Sequence, residues 1–135
     1  MIIETAQLLS IAAIYGGPDL PTRKIPWSNH PCSIWTRASI ENYTWLHSLG
    51  LCLGYEFLNR YEHTHACTNK IRNLDPALIN LPKIGMTPFA QAMPDQYRNI
   101  KDAVSAYRSY YLNEKAYFAK WKTGNVPPWW NITPQ

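Results

Sequence analysis

Residues Arg98–Lys122, RNIKDAVSAYRSYYLNEKAYFAKWK, run for 25 positions without Gly or Pro. Three rows repeat through them at a spacing of seven. Ile100, Tyr107 and Trp121 form one, with Glu114 in the same register; Val104, Tyr111 and Phe118 form the second; Lys101, Arg108, Lys115 and Lys122 form the third. Seven residues make almost two helical turns, so each row lies nearly straight along an α-helix. The first two rows predict an apolar stripe packed on a core. The third lies about 100° from the first and aligns four cations along the edge of that stripe. Such an edge is either one wall of an anion-binding groove or a solvated flank that keeps the helix soluble.

Outward from this stretch the chain reads as more helix separated by proline-rich loops. Met1–Tyr15 is helix-compatible and stops at Gly16-Gly17-Pro18. Ile3, Leu8, Ile11 and Ile14 follow a rough helical period, and Glu4 and Gln7 share a face. No capping residue precedes this helix, which a truncated start would explain. Positions 16–31 carry Pro18, Pro21, Pro26 and Pro31 and read as a loop. Pro31 suits the first turn of the next helix. That helix extends from Ser33 to about Tyr61, bent near Ala38-Ser39, with Tyr43, Leu46, Leu49, Leu53, Phe57 and Tyr61 as its buried stripe. Gly50 and Gly54 share one face and call for a close helix contact. A short helix near Thr68–Leu74 ends at Asp75-Pro76. The apolar run Met86–Tyr97 is expected to pack down on the fold, as is Trp129-Trp130 after Pro127-Pro128. The sum is an all-α chain: a single domain over 1–135, a compact bundle of three main helices with long ordered loops.

Composition narrows the function classes. The chain has 135 residues and a formal charge of +4, yet only 16% are charged, below the usual share of about 25%. A mild preference for acidic partners follows, but not a basic tail. Six Trp and nine Tyr supply rings that fill cores or stack on bases, and the aromatic excess is compatible with a homodimer. Three cysteines without a C-x-x-C pair make no disulfide framework. No secretory leader and no membrane-length apolar run are visible, so the chain reads as soluble and intracellular. The Asn-x-Thr triplets at Asn42 and Asn131 then carry no glycan meaning.

Three chemistries are open to these residues. His30 with Cys32, and His63, His65 with Cys67, are zinc-capable but match no zinc-finger or H-E-x-x-H spacing. No metal or cofactor is therefore assigned. Nothing marks Cys32, Cys52 or Cys67 as an activated nucleophile, and phosphate-binding glycine loops are absent. The third is a polyanion or nucleotide groove built from Lys101, Arg108, Lys115, Lys122 and Arg37, with Trp and Tyr for stacking.

A resemblance sharpens this last reading. The segments Asn29-His30-Pro31-Cys32 to Arg37, Glu56–Tyr61, Thr87–Asp95 and Ala106–Tyr111 resemble a family of small phage and bacterial proteins. The matches continue through Glu114-Lys115 and Lys120-Trp121 to Val126-Pro127 and Trp129. More distantly, the family looks like the phage pyrimidine-dimer DNA glycosylases of the endonuclease V type, which are compact and mostly helical. Those enzymes attack the sugar with the α-amine of the mature N-terminus and use a first-helix glutamate, which Glu4 resembles in position. The resemblance departs where their DNA-contacting arginine falls at Gln7, and where Met1 stands only three residues before Glu4. It implies a cytoplasmic protein of a bacterial or phage-infected cell with Glu4 catalytic. Gln7, Asn29, His30, Trp35, Arg37, Trp45, Lys101, Arg108, Lys115 and Lys122 would bind substrate. Two functions follow: a DNA glycosylase/AP lyase acting on flipped bases, or a catalytically silent phage protein that sequesters a nucleotide or cyclic nucleotide signal.

Overall fold

Every regular element among the described residues is helical. The computed structural model describes residues 1–19, 21–122 and 124–130, together with the backbone of Asn131. Where the sequence reads as one domain over 1–135, the contacts cluster in two compact units, Met1–Pro88 and Phe89–Gln135.

The first unit holds α1 (Ile2–Tyr15), α2 (Pro31–Ala38), α3 (Ile40–Tyr61) and α4 (Ala66–Asn73). The α1 face that is buried is made of small residues, Thr5, Ala6 and Ala12, beside Leu9 and Ile11. The expected stripe is corrected here, because Ile3 and Ile14 are 52% and 45% exposed. Small side chains let helix backbones come close, and the α3 glycines complete that approach. A Cβ on Gly50 would stand 3.0 Å from Thr5 Cγ2 and 3.1 Å from Ile71 Cδ1; on Gly54 it would meet Thr68 Cγ2 and Oγ1 at 2.7 Å. The close contact anticipated at Gly50 and Gly54 is thus with α1 and α4.

The bend expected near Ala38-Ser39 is a full break. Ser39 is extended (φ −152°, ψ 156°) and its hydroxyl accepts the Asn42 N–H, capping α3. Pro31 opens α2 as foreseen. The break frees the Ile40 N–H to bond Pro82 O at 2.9 Å, which draws the returning loop onto the helices. Asn42, fully buried, fixes that loop: Nδ2 donates to Trp35 O (2.8 Å) and Thr87 Oγ1 (2.7 Å), while Oδ1 accepts the Thr87 N–H (3.0 Å). Such burial also removes Asn42 as a glycan acceptor; the side chains of the second triplet, from Asn131, lie outside the described residues. Tyr43 and Leu46 are buried as expected, whereas Tyr61 is 45% exposed.

In the second unit the 25-residue helix is not formed as one rod. Asp102 caps α5 (Ala103–Tyr110) by accepting the Ser105 N–H at 3.1 Å. The backbone then widens into a π turn over Tyr111–Lys115, tightens into a 3-10 turn at Ala116–Phe118, and becomes extended at Ala119. Rows at spacing seven need one constant pitch, and three pitches in sixteen residues destroy it. Ile100 and Val104 are accordingly exposed, and Ala106 is the buried position of α5. Met93 is buried, and Tyr107 Oη donates to Ala90 O at 2.6 Å while accepting the Ala92 N–H; that part of the apolar run does pack down. Trp130 stacks edgewise on Trp121 and Trp129, with centroids 4.8 and 5.2 Å apart, pinning the tail. Among the described residues no helix is long and apolar enough to cross a membrane.

Candidate functional site

Charge and rings are unevenly placed along the sequence. Phe89–Gln135 carries six Lys and Arg against three Asp and Glu, so +3 of the chain's +4 falls there, with ten of its 18 aromatic residues. The π and 3-10 turns decide how these groups are displayed. Lys115 Nζ lies 5.5 Å from the Tyr110 ring and 5.9 Å from the Phe118 ring, within cation–π range. Next to it Tyr117 is 85% exposed and meets Phe118 edge-to-face at 5.0 Å. Arg108, on α5, stands over the Trp129 ring at 5.3 Å. The acid nearest in sequence, Glu114, is engaged elsewhere: it accepts the Tyr97 hydroxyl at 2.6 Å. That bond is the main reason the Tyr97 phenol titrates above its usual value. None of the ion pairs among the described residues involves Lys101, Arg108 or Lys115.

The predicted row of four cations is therefore corrected. Lys101 sits before the α5 cap, Arg108 on α5, Lys115 at the end of the π turn and Lys122 beyond the helical turns. Arg108 and Lys115 remain as aromatic-backed cations on one continuous stretch. Arg37 is engaged within the first unit. Its Nη1 donates to Ser28 O at 2.5 Å and its guanidinium covers the Tyr15 ring at 4.3 Å, a clamp inside the first unit. Trp35 is likewise a core residue, 8% exposed, its Nε1 donating to Thr87 O at 3.3 Å. Trp45, 42% exposed, meets it edgewise at 5.9 Å. His30 caps α2, Nδ1 accepting the Cys32 N–H at 3.1 Å, and Asn29 beside it is exposed.

The remaining assignments lie at the start of α1. Glu4 Oε2 is 2.9 Å from the Met1 α-amine, both groups well exposed. Gln7 is exposed one turn on. The hydrogen bond from the amine, then the backbone N–H of Glu4 and the amine's charge, hold the Glu4 carboxyl below the ordinary glutamate value. An ionised carboxylate against an ammonium is a resting pair: the carboxylate is already in its base form, whereas the ammonium must lose a proton before it can act as a nucleophile. His65 repeats the His30 arrangement, Nδ1 accepting the Cys67 N–H at 3.0 Å, and both His63 and His65 abut the Phe57 ring edgewise. Among the described residues no group of three or more His, Cys, Asp or Glu is placed to hold a metal ion.

Tyr117 and Trp129, the most exposed ring of this surface and the partner of Arg108, were missed at the sequence level as site residues. The signal that could have found them is Asp102. An Asp three residues before Ser reads as a helix N-cap, and a cap there forbids a helix running through 98–122. Comparison with protein-family models, with curated proteins and with solved structures finds no match.

Proposed function

We propose that this protein binds DNA, taking single-stranded or locally unpaired segments on the basic, ring-rich surface of Phe89–Gln135. Arg108 and Lys115 meet phosphates there, and Tyr117 and Phe118 stack on bases. The observation that carries this reading is Lys115 between Tyr110 and Phe118, beside a Tyr117 that is 85% exposed. A ring left in water next to a cation is what an unpaired nucleotide needs, because every base has a π-face and every linkage a charge. Stacking of this kind contributes about 1–3 kcal/mol per base.

The test is anisotropy of a labelled single-stranded oligonucleotide against salt. Each phosphate contact on a single strand adds about −0.7 to the slope of log K on log salt. Lys115→Ala should flatten that slope by roughly one such contact. Tyr117→Ala should weaken binding at every salt concentration and leave the slope alone. A wild-type protein that binds no oligonucleotide at low salt removes the proposal.

A second reading rests on the resemblance and on Glu4, an exposed carboxylate in the first turn of α1. On it the protein is a glycosylase/AP lyase of the kind the resemblance implies. An amine that has given up its extra proton to solvent attacks C1′, the glycosidic bond breaks and the base leaves (at an abasic site, water leaves instead), and Glu4 carries the proton to the ring oxygen for sugar opening. Borohydride added to a reaction on abasic DNA reduces the resulting imine to a stable amine. A covalent adduct supports this reading; neither adduct nor strand cleavage removes it and leaves binding intact.

A further inference from the structure

The loop that leads into α2 is built to hold one indole outward. Its two ends are fixed: Asn80 donates to Gly16 O at 3.1 Å, and Ser28, 5% exposed, offers its carbonyl to the Arg37 clamp. Two turns overlap at the α2 end of the loop, with the Ser28 N–H on Ile25 O (3.2 Å) and the His30 N–H on Trp27 O (3.1 Å). Trp27 lies where they overlap, at φ +64° and 73% exposed. The left-handed region suits Gly or Asn and resists a bulky side chain. Water, for its part, resists an indole. Both objections apply at once, and neither the turn nor the core gains from having Trp at this position. Strain that the surroundings enforce marks functional positions.

The neighbours define what the indole meets. Arg23 and Lys24 are exposed, four and three residues before it. They line a surface cleft of about 700 Å³ that runs from Ile14 along Pro21–Pro26, with Asp19 as the acid on its rim. An exposed ring a few residues along the chain from two exposed cations fits a planar group joined to a phosphate. We infer that Trp27 is a stacking residue for an unpaired base, with Arg23 and Lys24 holding the adjoining phosphates. A membrane surface is the competing occupant, since Ile14, Pro21, Ile25 and Pro26 line the same cleft; the two exposed cations favour the nucleic acid, and sedimentation with vesicles separates the two. The inference rests on the nucleic-acid reading for its ligand class, but on different residues.

The probe is a fluorescein-labelled oligothymidylate of about 15 nucleotides, titrated with the full chain. Trp27→Gly should weaken binding by roughly 5- to 150-fold, the span of one lost base stack, while the Tm holds or rises because Gly accepts the positive φ. Trp27→Phe should keep most of the affinity. The double change Arg23→Ala/Lys24→Ala should flatten the salt slope. Trp27→Gly binding like wild type, while Tyr117→Ala binds less, overturns this inference alone. A wild-type protein that fails to bind overturns both. A clearly lowered Tm in Trp27→Gly makes Trp27 a structural residue and ends the proposal. So does loss of sedimentation with phosphatidylserine vesicles when oligonucleotide binding is unchanged.

Discussion

Tyr43 shows how one buried hydroxyl ties the first unit together. Its side chain is fully buried on α3 and its Oη donates to Leu74 O at 2.8 Å, just past α4. Burial, and then the charge of Asp75, push the phenol from its usual value of 10 to about 12. The folded protein thus keeps this proton at a pH where the unfolded chain loses it. Stability is complete below pH 10 and falls as pH rises toward 12. Tyr43→Phe should cost about 1 kcal/mol at neutral pH and make the alkaline fall shallower, as read from urea melts across that range. Asn42 carries more. Asn42→Ala leaves the Thr87 N–H and the Trp35 carbonyl unpaired in the interior and should cost about 2–4 kcal/mol. A urea midpoint that scarcely moves would show that water reaches those groups.

Among the elements, the seam between α3 and α4 sets two effects against each other. Gly54→Ala gains about 1 kcal/mol of helix propensity. It also drives a methyl into Thr68 at 2.7 Å, and overpacking of that kind costs about 1–3 kcal/mol. The clash should win in the wild-type background. Thr68 Oγ1 is buried with no hydrogen-bond partner among the described residues, so Thr68→Ala removes both the obstacle and an orphan group. In that background Gly54→Ala should become neutral or stabilising, and a double-mutant cycle measures the coupling. This seam was legible in the sequence, since Gly50 and Gly54, four apart inside a helical pattern, need a close neighbour to offset their cost. So were the stop of α1, the start of α2 and the stop of α4, because Gly16-Gly17-Pro18, Pro31 and Asp75-Pro76 act locally. The late helix was not. Spacing seven fits any long amphipathic run, and only the Asp102–Ser105 cap separates α5 from what precedes it. The π turn has no comparable local signature. The surroundings of Arg37 and Trp35 were not legible for a related reason: composition does not show that Arg37 reaches Ser28 and Tyr15, or that Trp35 is a core ring bonded to Thr87.

At the scale of the whole molecule, net charge matters less than its placement. Lys70 on α4 and Lys120 after the 3-10 turn are both exposed, and replacing either with Glu changes the total by the same amount. If the cations of Phe89–Gln135 meet phosphates, Lys120→Glu should weaken oligonucleotide binding several-fold more than Lys70→Glu, at equal ionic strength. Equal effects would point to a diffuse attraction with no defined surface.

The π turn at Tyr111–Lys115 works as a phase shifter in the late helical stretch. Removing one residue, Asn113 for example, would restore ordinary pitch and swing everything downstream by about 100°. No cation and no ring would be lost, yet Tyr117 would look in a new direction. Affinity for the labelled strand should drop although the inventory of groups is almost the same. What that segment offers a ligand is therefore set by an indel-sized irregularity in the backbone.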